Sequence, residues 1–240
     1  LGAHIRMSTG DEGITISVNC LAHKFEDTFN LVQEILFEPR WDEKEFDRKK
    51  QETIEIINRN KANPNAISGN VFAKLVWGRD HILGQSTLGT PESVESISID
   101  DVKEYYNKYF SPNLARIAFV GDVSQNRAVK VFKALEDKWE DKGIELPQHP
   151  IPAQSTRAQV YFVDYPNAKQ SAIRIGYLGL PRSSDDYYPT TVMNYKLGGN
   201  FNSNVNMILR EEKGYTYGAR TSFSGSLYPG TFVASSSVQS

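Results

Sequence analysis

Arg210, Tyr215 and Tyr217 stand on either side of a lone glycine in the stretch LGGNFNSNVNMILREEKGYTYGARTSF, residues 197–223. A guanidinium offers a planar fork of N–H donors, and a phenol offers one O–H. Aimed at one place, the two suit a developing oxyanion or a peptide carbonyl being held. The run from Asn200 to Glu212 predicts a helix whose apolar side is Val205, Ile208 and Leu209. Gly214 fits the position where a helix stops in a left-handed turn. The segment YTYGARTSF then alternates as a strand, placing Tyr215 and Tyr217 on one face and Thr216 on the other. The chain reverses at Gly214, so Arg210 and a tyrosine can converge. The same residues also have a purely structural reading. An arginine in the last helical turn is favoured by the helix dipole, and tyrosines are common on strands.

A second candidate is HKFED, residues 23–27, one residue short of the H-x-x-E-H zinc signature. That motif needs its second histidine on the same helical face, with the glutamate as base on a metal-bound water. Here Asp27 occupies that position, and His23 falls at a strand-to-helix junction where polar residues cap. The other histidines, His4, His81 and His149, have no ligand spacing, so no metal residues are assigned within the chain. The single cysteine, Cys20, lies in the apolar alternation ITISVNCLA and reads as a small core residue. One cysteine allows no internal disulfide, so redox compartment stays open.

The elements that must position these residues belong to an ordinary globular chain. Its 240 residues, 39% hydrophobic and 23% charged, suffice for one large domain or two modest ones. Net charge is −2 with both signs interspersed, which argues against a nucleic-acid partner. No apolar run reaches the length of a membrane span, and no signal peptide opens the chain, so a soluble segment is expected. The chain starts without methionine and stops inside a strand-like run, GTFVASSSVQS, which suggests a segment of a longer protein.

Strands are expected over 4–8 and 14–22, and helices over 25–36, 42–60, 65–76, 91–97 and 98–110. Ser98 or Asp100 caps the last of these. ARIAFVGDV (115–123) reads as a buried strand and NRAVKVFKALEDKW (126–139) as a helix. GIELPQHPIPAQST, residues 143–156, holds three prolines and no hydrophobic period, and reads as a linker. It separates a first lobe, 1–142, from a second, 157–240. The second opens with strands AQVYFVDY and SAIRIGYLGL, followed by the helix DYYPTTVMNYKL. Strands and helices alternate without strict βαβ units, favouring an α+β fold with mostly antiparallel sheets.

Several segments in order resemble the insulinase/pitrilysin family of zinc metallopeptidases, which includes the mitochondrial processing peptidases. They are EILFEPRWDEKEFDRKKQETIEII, HILGQSTLGTPESVESISIDDVKEYYNKYFSPNLARIAFVGDV, DYPNAKQSAIRIGYLGLPRSSDDYYPTTVMNYKLGG and LGGNFNS…LREEKGYTYGARTS…PGTF. The resemblance implies a pair of related α+β lobes, with this chain holding the later part of one and the earlier part of the next. It also implies a divided active site. One lobe carries H-x-x-E-H and a third zinc ligand, a glutamate on a later helix. A distant lobe supplies an arginine and a tyrosine at the positions of Arg210 and Tyr217, which hold substrate backbone or stabilise the tetrahedral intermediate. Tyr215 then falls back to a structural reading.

The zinc side does not carry over. The third-ligand position corresponds to Ile56, with Glu55 one residue and Glu52 four residues before it. An isoleucine cannot bind zinc. The first lobe therefore resembles the non-catalytic copy, with zinc expected in the complete protein or in a partner chain of the same family. Asn204-Val205 also departs from the arginine-leucine of the family's SRL. The resemblance leaves three functions to weigh: an accessory lobe pair of a peptidase acting on extended peptides, a scaffold without catalysis, and a module that binds peptides by strand addition.

Overall fold

The computed structural model describes residues 1–239. It is an α+β structure of antiparallel sheets flanked by helices. Two compact units are present, each discontinuous in sequence. One comprises Leu1–Ile54 and Glu92–Gln148; the other comprises Glu55–Pro91 and the chain from His149 onward.

In the first unit β1 (His4–Thr9) and β2 (Ile14–Asn19) form an antiparallel hairpin with Arg6 opposite Ser17. α1 (Phe25–Phe37) buries Phe25, Phe29 and Val32, the helical spacing visible in the sequence. α6 (Gln125–Glu136) meets it with Leu135 and Phe132, and Cys20, Phe37 and Trp139 complete the cluster. Phe29 and Phe132 meet edge-on with ring centroids 5.0 Å apart. Glu26 of α1 forms a bidentate ion pair with Arg127 of α6. α2 (Glu43–Asn60) contributes residues to both units. α4 (Pro91–Ser96) precedes α5 (Ile99–Tyr109), which is capped at Ser98, not Asp100. The Ser98 hydroxyl accepts from the Asp101 N–H at 3.2 Å, and the Asp101 carboxylate accepts from the Ser98 N–H at 2.7 Å.

The second unit is built on a three-stranded antiparallel sheet, ordered β3 (Gln170–Leu178), β5 (Pro229–Gln239), β4 (Thr216–Gly225). Arg174 of β3 lies opposite Ser235 of β5, which lies opposite Arg220 of β4, so these share a face. α3 (Pro64–Trp77) lies on that face. Its Ser68 hydroxyl and Asn65 carbonyl accept from the Arg174 guanidinium at 3.0 and 3.2 Å. On the other face, Ala219 and Thr221 of β4 are covered by one helical stretch. It starts as α7 (Tyr187–Asn194), continues as a π-helical segment from Tyr195 to Gly199, and resumes as α8 (Asn204–Asn206) and a second π-helical segment, Met207–Glu212.

Two expected strands are not formed among the described residues. Neither ARIAFVGDV nor AQVYFVDY pairs with a neighbour. Val120, Val160 and Phe162 stand 98%, 96% and 89% exposed. An apolar, β-branched run raises strand propensity, but a strand exists only where another supplies its ladder hydrogen bonds. The helix expected from Asn200 starts instead at Asn204. Residues 200–202 turn, with the Asn202 N–H donating to the Asn200 side chain at 2.7 Å.

Candidate functional site

The helical stretch ends where the sequence says it should. Gly214 has φ +65°, the left-handed stop that residues with a Cβ resist. The approach to it differs from a plain α-helix. The Lys213 N–H bonds the Ile208 carbonyl five residues back, and the Tyr215 N–H bonds the Leu209 carbonyl six back, at 3.0 and 2.9 Å. Ile208, expected on the apolar side, lies within this π-helical segment and is 44% exposed.

Arg210, in this last turn, is held on two sides. Its guanidinium carbon lies 4.6 Å from the centroid of the Phe201 ring. Its Nε–H faces the Glu211 carboxylate at 3.2 Å. The ring contact is worth about 0.5–1 kcal/mol at an exposed site, and the exposed ion pair about as little. Together they restrict a side chain that would otherwise lose rotamer entropy on binding.

Tyr217 is aimed by a β-bulge. Thr216 pairs with Val238 and Ala219 with Ser236, so Tyr217 and Gly218 together oppose Ser237. The Thr216 hydroxyl donates to the Ser237 carbonyl at 2.7 Å and accepts from the Gly218 N–H at 3.1 Å, pinning both sides of the irregularity. Bulges of this kind re-aim side chains beside functional sites. Tyr217 is 88% exposed. β4 begins at Thr216, so Tyr215 lies outside the strand, and the simple alternation expected for Tyr215 and Tyr217 is interrupted by the extra residue.

Arg210 and Tyr217 line the same open concavity of about 950 Å³, together with Tyr215, Glu211, Lys169 and Asn65. All of its lining lies within the second unit. Lined by amides, phenols and both signs of charge, it suits a polar, extended ligand better than a compact anion. Glu211 offsets part of the Arg210 charge, so the site offers oriented donors more than net positive field.

The residues named as possible zinc ligands do not fit a metal. Glu52 pairs with Lys49 and Arg48 at 2.9 and 3.3 Å, and Glu55 pairs with Arg59 at 3.7 Å, all along α2. Ile56 has no donor atom. In HKFED, Glu26 is taken by Arg127 and Asp27 pairs with Lys24 at 3.2 Å. The Arg127 hydrogen bonds hold the Glu26 carboxyl below its ordinary range. Among the described residues, no group of three histidine, cysteine, aspartate or glutamate side chains could hold a metal ion. No described helix is long and apolar enough to cross a membrane.

Phe201, Glu211 and Asn206 escape a reading by spacing. Glu211 is adjacent to Arg210 and reads as a surface charge. Phe201 lies outside the predicted apolar side. Asn206 has one visible signal, an amide inside an otherwise apolar helical run, which implies a buried hydrogen-bonding duty.

Comparison with known proteins accords with this architecture. Residues 96–240 match the family described as "Peptidase M16 inactive domain". A curated relative from Bacillus subtilis, "Uncharacterized zinc protease YmxG", is 25% identical over 90% of this chain and 52% of its own length. "Non-peptidase homolog YmxG" from Helicobacter pylori is 22% identical over 92% of the chain and 51% of its own. The chain thus spans about half the length of these relatives. Among solved structures, a peptidase M16 inactive domain from Pseudomonas fluorescens superposes with a TM-score of 0.88 at 22% identity, covering 99% of this chain and 57% of that one. With more than half of its residues matched by that model, the chain belongs to the peptidase M16 family, and the matched part corresponds to the family's inactive domain.

Proposed function

We propose that this chain is the non-catalytic half of a zinc-dependent peptidase. In this reading it lends Arg210 and Tyr217 to a site whose H-x-x-E-H motif lies in another lobe or subunit of the same family. The carrying observation is that Arg210 and Tyr217, both donor-bearing residues, line one open concavity. The terminal N–H groups of Arg210 and the O–H of Tyr217 donate to a carbonyl oxygen of an extended peptide. They hold it while hydrolysis is carried out by groups outside this chain, and they donate more strongly as negative charge develops on that oxygen. In this reading the chain alone has no turnover, since the zinc is supplied from outside it; among the described residues no group of metal ligands is assembled.

The test is Arg210→Ala and Tyr217→Phe in the complete protein assembled with its zinc-bearing lobe or subunit. Each lowers kcat by more than about tenfold with zinc content unchanged. Near-normal kcat in both variants refutes the reading. A second reading, peptide capture without turnover by a catalytically silent scaffold, is favoured by the H. pylori relative whose name describes it as a non-peptidase. It predicts saturable peptide binding, weakened by the same substitutions, and no hydrolysis in the complete assembly.

A further inference from the structure

The side chain of Asn206 is used twice. It is 3% exposed, at the end of α8 and one residue before the second π segment. Its Oδ1 accepts from the Ala219 N–H at 3.0 Å, on the residue that closes the bulge carrying Tyr217. Its Nδ2–H donates to the Phe201 carbonyl at 2.7 Å. Phe201 in turn presents its ring to Arg210. A single carboxamide, with donor and acceptor on one carbon, thus joins the strand that aims Tyr217 to the loop that backs Arg210.

We propose that Asn206 is a positioning residue that sets Arg210 and Tyr217 relative to each other, acting through Phe201 and the β4 bulge. The proposal rests on the reading of Arg210 and Tyr217 as the groups that hold a peptide carbonyl. Asn206 is buried and does not touch substrate. Two donors aimed at one oxygen lose effect when either wanders, because the required geometry is tight to fractions of an ångström. Losing the bond to Phe201 lets its ring drift from the guanidinium and leaves a carbonyl unsatisfied. Losing the bond to Ala219 loosens the bulge. A purely structural asparagine would change stability and leave the Arg210 environment alone in whatever fraction stays folded.

The experiment uses the full-length protein with isotopically labelled arginine. In the parent, the Phe201 ring 4.6 Å from the guanidinium carbon is expected to displace the Arg210 side-chain protons upfield. Phe201→Leu, which keeps both Asn206 hydrogen bonds and removes the aromatic face, calibrates that displacement by abolishing it. Asn206→Asp keeps the acceptor for Ala219 and loses the donor to Phe201; Asn206→Ser is neutral and too short to reach both partners. Either folded variant is expected to lose the displacement, and a parent-like Arg210 signal in either overturns the proposal.

Turnover in the assembled enzyme gives the second measurement. Asn206→Ser lowers kcat roughly tenfold, and Phe201→Leu lowers it as well, but either adds less than about twofold in an Arg210→Ala/Tyr217→Phe background. Equal losses in both backgrounds, or no loss with Phe201→Leu, overturn it. If Arg210→Ala itself leaves turnover unchanged, the peptidase reading fails, while the arginine spectrum still decides whether Asn206 positions that side chain.

Discussion

Between α1 and α6 the first unit buries rings: Phe25 and Phe29 with Phe132, and Leu135 beside them. Between the helical stretch and β4 the second unit buries amides and hydroxyls. The Asn194 Nδ2–H donates to the Thr221 carbonyl at 3.0 Å, the Thr221 hydroxyl donates back to Asn194 at 2.6 Å, and Asn206 ties Ala219 to Phe201. Ring packing is largely non-directional and scales with the area removed from water. A buried amide adds little net stability but allows few orientations, since each misplacement strands a polar group. The joint between the helical stretch and β4 is thus the one built from directional bonds.

The largest test of that contrast is in the first unit. Phe29→Ala removes a 9%-exposed ring and should cost about 3–5 kcal/mol in urea unfolding. Phe29→Leu should recover much of this, because a ring-packed core tolerates a change of shape when volume is roughly kept. Failure of leucine to recover would show that this core is as geometrically exacting as the amide joint. In the second unit, a Cβ added at Gly198 would lie 2.2 Å from the Thr221 hydroxyl and 2.6 Å from its backbone nitrogen. Gly198→Ala should therefore cost about 1–3 kcal/mol by forcing helix and strand apart. If the proposed peptide site is correct, Gly198→Ala should also weaken peptide binding there, while Phe29→Leu leaves binding untouched.

The smallest effect separates the units by pH. His81 is buried, stacked on Trp77 at 4.6 Å, with the rings of His149 and Tyr228 5.8 and 5.9 Å away. Its Nδ1 accepts from the Leu83 N–H at 3.1 Å. Burial, and then the charge of His149, lower its pKa below the ordinary 6.5. The unfolded chain therefore binds the proton first. Stability from this group is full above about pH 6.5 and falls as pH drops toward the lowered folded value. In the first unit the Glu26 carboxyl is lowered from 4.5 by Arg127, so its contribution is full above that value and is lost only at more acidic pH. Hydrogen exchange at pH 7, 5.5 and 4 should show the second unit loosening before the first, and His81→Gln should remove the earlier step. Simultaneous loosening would contradict the assignment.

Much of the local structure was readable from residues alone. The spacing of Phe25, Phe29 and Val32 predicts α1, the Ser98–Asp101 pair predicts the start of α5, and Gly214 predicts the stop before the cleft, because each depends on neighbours within one turn. The residues that build the cleft were only half readable. Arg210 and Tyr217 could be named from type, order and family resemblance, and the structure finds them lining one concavity. The bulge that aims Tyr217 could not be named, since its extra residue exists only relative to the register of β5.

The sequence by itself determined most of the α-helices, the glycine reversal and the family, all of which depend on short-range chemistry or on ordered motifs, but not the π-helical turns between Tyr195 and Glu212. Tertiary structure alone decided that ARIAFVGDV and AQVYFVDY form no ladder among the described residues, that Glu26 belongs to Arg127, and that Asn206 links Phe201 to Ala219. The physical reason is common to all three. A strand ladder, an ion pair and a bridging amide are satisfied by partners, and partners distant in sequence are chosen by the fold.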